Sequence, residues 1–202
     1  MANVDRPRGL VPVQHIGGSA WNGKTNMYLL PAADSGAVFI GDLVKLAGSA
    51  GAAGTVVNGY DVEGMPTIAQ SAAGDGGVGV VVGFLPLQTN LETKHRVTLT
   101  NRIALVCDDP GVIYEIQEVS GGTALTATEV SLNANVVVGS GNTTTGMSAM
   151  ELNNSGENTT ADLDLRIMGL VRRPDNAYGE HAKWLVMIST HQLNNMAGIT
   201  GV

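Results

Sequence analysis

One cysteine stands in 202 residues, and that scarcity excludes an intramolecular disulfide framework. Cys107 follows the apolar run Ile103-Ala-Leu-Val, the setting of a buried, inert thiol. Charge is almost as sparse. Asp, Glu, Lys and Arg make up 14% of the chain, where a typical domain has about 25%. Disorder driven by charge is excluded as well, because apolar residues reach 44%. Aromatics are only 4%, so a core here has to be built from Val, Ile, Leu and Ala. No apolar run approaches the ~18 residues of a membrane helix. The longest, Val78 to Leu87, is broken by glycine and proline, and the N-terminal MANVDRPRGLVPVQH lacks a signal-peptide core. The expectation is a protein made and folded in a cytoplasm, with no membrane partner.

Basic residues are few too. Eleven Lys and Arg against eighteen Asp and Glu leave a net charge of −7. Nucleic-acid binding rests on neutralising phosphates, and the closest approach to a basic cluster is Arg172-Arg173, which reads as a solvated turn or strand end. Helical periodicity of any length is missing. The four histidines, His15, His95, His181 and His191, lie far apart without metal-ligand spacing and read as surface or packing residues.

What the chain has is glycine, 27 of them, and short apolar runs divided by turn residues. Runs expected to be strands are Asn26 to Leu30, Ala37 to Leu46, Val78 to Leu85, Arg96 to Asp108, Val112 to Glu118, Val136 to Val138, Ser148 to Leu152 and Ala161 to Val171. Val112 to Glu118 alternates apolar with polar, which predicts one wet face. Leu125 to Ala134 has room for a single helical turn. Asp162 and Asp164 alternate with leucines and are expected on a solvated strand face, while Asp108-Asp109-Pro-Gly111 is a strong turn signal. The count predicts an all-β fold, a jelly-roll-like sandwich or barrel of about 8–10 short antiparallel strands. Residues 1–25, rich in Pro, Gly and Asn, read as an extended N-terminal arm. Residues 26–202 read as one β domain, with 47–64 as a long Gly/Ala-rich surface loop.

The stretch Leu165 to Leu193 is the most informative. Leu165, Ile167 and Val171 alternate with Arg166, Met168 and Leu170; Arg173-Pro-Asp-Asn176 has the residues of a type I turn; Lys183 to Thr190 is a second apolar run. Apolar residues on both faces predict two inner strands covered on both sides, with Trp184 in the core.

Two motifs have the spelling of phosphate sites. Gly18-Ser-Ala-Trp-Asn-Gly23-Lys24-Thr25 matches G-x-x-x-x-G-K-[ST], and Ile103 to Asp108 imitates an apolar strand ending in a metal-binding Asp. Lys24, Thr25 and Asp108 would then serve a nucleotide hydrolase. The cradle requires a helix directly after Thr25, and Asn-Met-Tyr-Leu-Leu-Pro31 leaves fewer than two turns for one. Gly74-Asp-Gly-Gly-Val-Gly79 has dinucleotide spelling but precedes a strand where that motif follows one, so a hairpin turn is the better reading.

Several segments together resemble a family of tailed-bacteriophage virion proteins, the capsid decoration or cement proteins. They are Asp5-Arg-Pro-Arg-Gly-Leu10, Asn26-Met-Tyr28, Gly41-Asp-Leu-Val-Lys-Leu-Ala47, Val80-Val-Val-Gly-Phe84, Asp108-Asp-Pro-Gly-Val112, Tyr114-Glu-Ile-Gln117 and, most specifically, Leu165-Arg-Ile167, Gly169-Leu-Val171, Arg173-Pro-Asp-Asn176, Ala182-Lys-Trp-Leu-Val186 and His191-Gln-Leu193. The resemblance implies a non-enzymatic structural protein that binds the outside of the major capsid shell and stabilises it. It implies a homo-oligomer at local symmetry axes, with no cofactor, metal, small-molecule substrate or nucleic-acid partner. Candidate capsid-contact residues are Arg6, Arg8, Arg172 and Arg173. A tail- or fibre-associated virion protein is the alternative.

Overall fold

A computed structural model of the chain describes residues 3–194. The end of the expected domain, 195–202, lies outside the described residues. Among the described residues there are fourteen strands: β1 (Val11–His15), β2 (Asn26–Leu30), β3 (Leu43–Ala50), β4 (Val56–Val57), β5 (Tyr60–Asp61), β6 (Pro66–Gln70), β7 (Gly79–Phe84), β8 (Arg102–Cys107), β9 (Val112–Gln117), β10 (Asn133–Ala134), β11 (Val136–Val137), β12 (Glu151–Leu152), β13 (Leu165–Leu170) and β14 (Lys183–Ile188). The expected helical turn is one 3-10 turn, Ala127–Glu129. Thr126 caps it, and the Glu129 side chain reaches back to the cap residue's N–H. The fold is all-β.

Five strands close into a barrel in the order β2-β6-β3-β7-β8, and five more form a sheet in the order β1-β9-β14-β13-β10. Pairing is antiparallel within both except at one seam, where β2 meets β6 in parallel at Leu29↔Thr67. Neighbouring residues of the barrel wall serve different cores. Val44, Val81 and Val106 point inward with Tyr28, Leu30 and Ile68. Leu43, Val80 and Cys107 point outward onto Tyr114, Ile116, Leu165, Ile167, Trp184 and Val186 of the sheet. A strand buried on both faces needs no polar alternation, which explains the uninterrupted apolar runs. Cys107 is buried, as its context predicts.

Several expectations are corrected. Residues 11–15 of the supposed arm are strand β1, paired with β9; residues 3–10 and, apart from one bridge at Ala20, 16–25 carry no strand. The 47–64 segment is no free loop. β3 runs on to Ala50, and β4 and β5 form a small hairpin that places Val57 and Val62 on Leu29 and Ile103, the outer faces of β2 and β8. Glycine makes that cover possible: a Cβ at Gly51 would overlap the Val62 carbonyl oxygen. β6 was hidden in the sequence by its proline and polar ends. Ala37 to Leu46 is strand only from Leu43, and Gly41, at φ +99°, marks the bend ahead of it. Arg96 to Asp108 narrows to β8, because Arg96 and Arg102 turn the preceding residues into a buttressed loop. The fully buried Arg96 guanidinium donates to the carbonyls of Pro31, Asp34 and Gly36 and its Nε to that of Thr100; Arg102 donates to Thr93 and His95.

β13 and β14 are interior strands, but only one face of each is fully covered. Leu165, Ile167, Trp184, Val186 and Ile188 are buried while Arg166 and Met168 are exposed. Asp162 is exposed as expected, whereas Asp164 is wholly buried. β13 starts one residue later, so Asp164 escapes the strand alternation. Its carboxylate accepts N–H bonds from Gly74, Gly76 and Val136. The Gly74–Gly79 segment is a turn, yet it joins two strands that flank β3 instead of pairing as a hairpin.

Candidate functional site

The N-terminal arm and the connection between β13 and β14 meet on the outer face of β9. That strand was expected to have one wet face, and instead all six residues are buried. The cover comes from the arm. Gly9 and Gly41 cross so closely that a Cβ on either would strike the other segment's backbone, and Leu10 N–H donates to the Gly41 carbonyl at 2.9 Å. The crossing directs residues 3–8 along the end of β9 and the β13–β14 connection.

Glu115, 5% exposed, is the hub. Arg8 donates to its Oε1 at 3.1 Å from the arm, and Arg173 to its Oε2 at 3.0 Å from the turn after β13. Two residues along the same strand face, Gln117 accepts the Arg6 backbone N–H at 2.8 Å. Its Nε2 donates to Asp5 Oδ1 at 2.8 Å and to Glu151 Oε1 at 2.9 Å. Further out, Asn3 Nδ2 donates to the carbonyls of Ala177 and Glu180, and Ala177 N–H returns to Asn3 Oδ1. The turn is closed by its own residues. Asn176 N–H donates to the Arg173 carbonyl, and the Asn176 side chain bridges Val171 and Lys183.

The four candidate arginines therefore split. Arg8 and Arg173 are occupied with Glu115, and Arg173 also approaches Asp175 at 3.4 Å. Arg6 and Arg172 are exposed and form no ion pair among the described residues. Glu115 and Gln117 were not singled out by sequence. The available signal was a carboxylate and an amide inside a strand whose neighbours are apolar.

Lys24, Thr25 and Asp108 do not assemble a phosphate cradle. Thr25 leads directly into strand β2, so no helix N-terminus aims N–H groups at a ligand. Both Asp108 oxygens accept from Asn26 Nδ2, and one also takes the Tyr28 hydroxyl at 2.7 Å. Burial and the adjacent carboxylate push the Tyr28 hydroxyl pKa well up. The open groove bordered by Gly23 and Thr25, about 390 Å³, is lined chiefly by Leu10, Pro12, Trp21, Ile40 and Val82 and is apolar. Its walls offer dispersion contacts, and its one cation, Arg8, is already paired with Glu115.

Of the four histidines, His15 lies 3.4 Å from Asp109 and His95 stacks on Phe39. His191 is buried, and its Nδ1 accepts the Leu193 N–H. Burial lowers its pKa to about 4, against a partial opposing pull from Asp108 and Asp109. His181 lies beside the arm, with Nδ1 3.6 Å from Asp5 Oδ1. Two buried carboxyls, Asp42 and Glu118, are pushed up by burial while hydrogen bonds from Gln70 and Phe39, and from Trp184 and Leu125, hold them down in part. Among the described residues no helix is long and apolar enough to cross a membrane. No protein-family model, curated protein or solved structure matches this chain.

Proposed function

We propose that this chain is a structural protein of a phage virion, one that binds the outside of the major capsid shell as a homo-oligomer and reinforces it. The observation that carries the reading is the junction on Glu115. Two segments of the family resemblance, the arm and the more specific C-terminal hairpin, are tied there into one surface. That surface leaves Arg6 and Arg172 facing outward on a protein whose net charge is −7. An acidic protein is repelled by packaged DNA, which favours the outer side of the shell. Local basic points on it suit acidic patches of a capsid lattice, and repetition around symmetry axes multiplies modest contacts. A nucleotide hydrolase has less in its favour, because its proposed cradle runs into β2.

The test is binding to undecorated, expanded heads of the phage that encodes the chain. The double charge reversal R6E/R172E is expected to weaken binding at least tenfold while leaving the melting temperature unchanged, since neither side chain holds the fold. Binding undiminished in that variant would remove these two arginines from the interface. Wild-type protein that binds no shell would end the reading.

A further inference from the structure

His181 has no metal-ligand spacing in the sequence, but the fold supplies what spacing lacks. Asp5 on the arm, Glu151 on β12 and His181 ahead of β14 bring a ligand atom each to within 4.8 Å of one another. The three come from separate segments, and together they offer one imidazole nitrogen and two carboxylates. The group now between them is the amide of Gln117, 3% exposed. Its Nε2 stands 2.8 Å from Asp5, 2.9 Å from Glu151 and 3.5 Å from His181 Nδ1. An amide has two protons for these three acceptors and no charge to set against two carboxylates.

We infer that Asp5, Glu151 and His181 form a divalent-cation site of the Zn²⁺ type that fastens the N-terminal arm to the body. Zn²⁺ takes histidine nitrogen and carboxylate oxygen at about 2.0–2.2 Å, so three ligand atoms have to draw together by on the order of 1 Å. Asp5 is 61% exposed on the arm and free to make that movement. Rotation of the Gln117 amide would turn Oε1 to the ion as a fourth donor, releasing the Arg6 N–H it now accepts. The imidazole sets the preference. Ca²⁺ and Mg²⁺ favour all-oxygen shells, while Zn²⁺ binds nitrogen well and leads Mn²⁺ in the affinity order. The site joins elements far apart in sequence, so binding stabilises the docked arm over the released one. The inference stands apart from the capsid reading.

The experiment titrates the full chain with ZnCl₂ by calorimetry and follows trypsin cleavage after Arg8 by mass spectrometry. The expected result is one Zn²⁺ per chain, with cleavage after Arg8 slowed at least tenfold and reversed by chelator. D5N changes an exposed arm residue. H181N places a residue that tolerates the left-handed backbone there (φ +60°). Each is expected to weaken binding at least tenfold. H15A removes the separate His15–Asp109 pair, 3.4 Å apart, and is expected to change nothing. The inference is overturned by no saturable uptake, by uptake that survives D5N and H181N, by Ca²⁺ binding as tightly as Zn²⁺, or by binding that leaves cleavage unaltered.

Discussion

Glu115 sits in a strand with no solvent face and takes its two partners from segments 107 and 58 residues away in sequence. Its own side chain is 6% exposed, while Arg8 and Arg173 are 49% and 37% exposed, so solvent screens both pairs from one side. Replacement by alanine loses two charge-assisted bonds without stranding a buried cation, a cost of about 1–3 kcal/mol. E115A is therefore expected to lower the unfolding free energy from urea denaturation by that amount and to raise hydrogen exchange along β1 and β9; an unchanged free energy would reduce Glu115 to a bystander. His191 gives a pH signature. Its folded pKa of about 4 lies below the ordinary 6.5, so between these values the unfolded chain binds the proton and the folded chain does not. The contribution is present above pH 6.5 and is lost as pH falls toward 4, on the order of 3 kcal/mol when fully developed. Asp42 and Glu118, with raised pKa values, act oppositely, losing stability as pH rises above the ordinary carboxylate range. The wild-type minus H191Q difference cancels them. That difference in stability is expected to shrink across this window as acid is added, and a pH-independent difference would refute the buried neutral imidazole. Alternation in the sequence placed Glu115 on a wet strand face; it could not show that the arm covers it.

Strands were legible where periodicity was undiluted. Asn26 to Leu30 is β2 residue for residue, and the runs at 78–85 and 183–190 contain β7 and β14. Composition misled at 47–64, where Gly and Ala were read as a loop although Val57 and Val62 cover the barrel wall. Close packing of two backbones and slack in a loop both favour glycine, and one sequence does not distinguish them. The Asp164 reading failed for a related reason. Its partners are three N–H groups from remote turns, beyond the reach of local alternation. Gly51 decides between slack and close packing experimentally. A Cβ there meets the Val62 carbonyl, so G51A forces the hairpin off Leu29 and Ile103. The expected loss is about 1–3 kcal/mol in chemical denaturation, the usual range for overpacking. A loss within a few tenths of a kcal/mol would restore the loop reading.

At the scale of the whole molecule, a closed barrel and a five-stranded sheet share one core through Leu43, Val80 and Cys107. Closure removes the barrel's edges, and the sheet's outer strand β1 is itself covered: His15 N–H donates to the Ser19 carbonyl and Trp21 N–H to that of Val13. Assembly by edge pairing is blocked at β1. The arm and hairpin meet around Glu115. The candidate site was legible in the sequence only as four arginines; that two of them hold the fold and two face outward depends on tertiary contacts alone. The most direct measurement is a cryo-electron microscopy map of the particle that contains this chain. The account predicts density matching the barrel and sheet on the outer surface of the head, repeated at local symmetry axes, with the Arg6 and Arg172 side toward the shell. Density confined to the tail or its fibres, or lying inside the head against DNA, would contradict it.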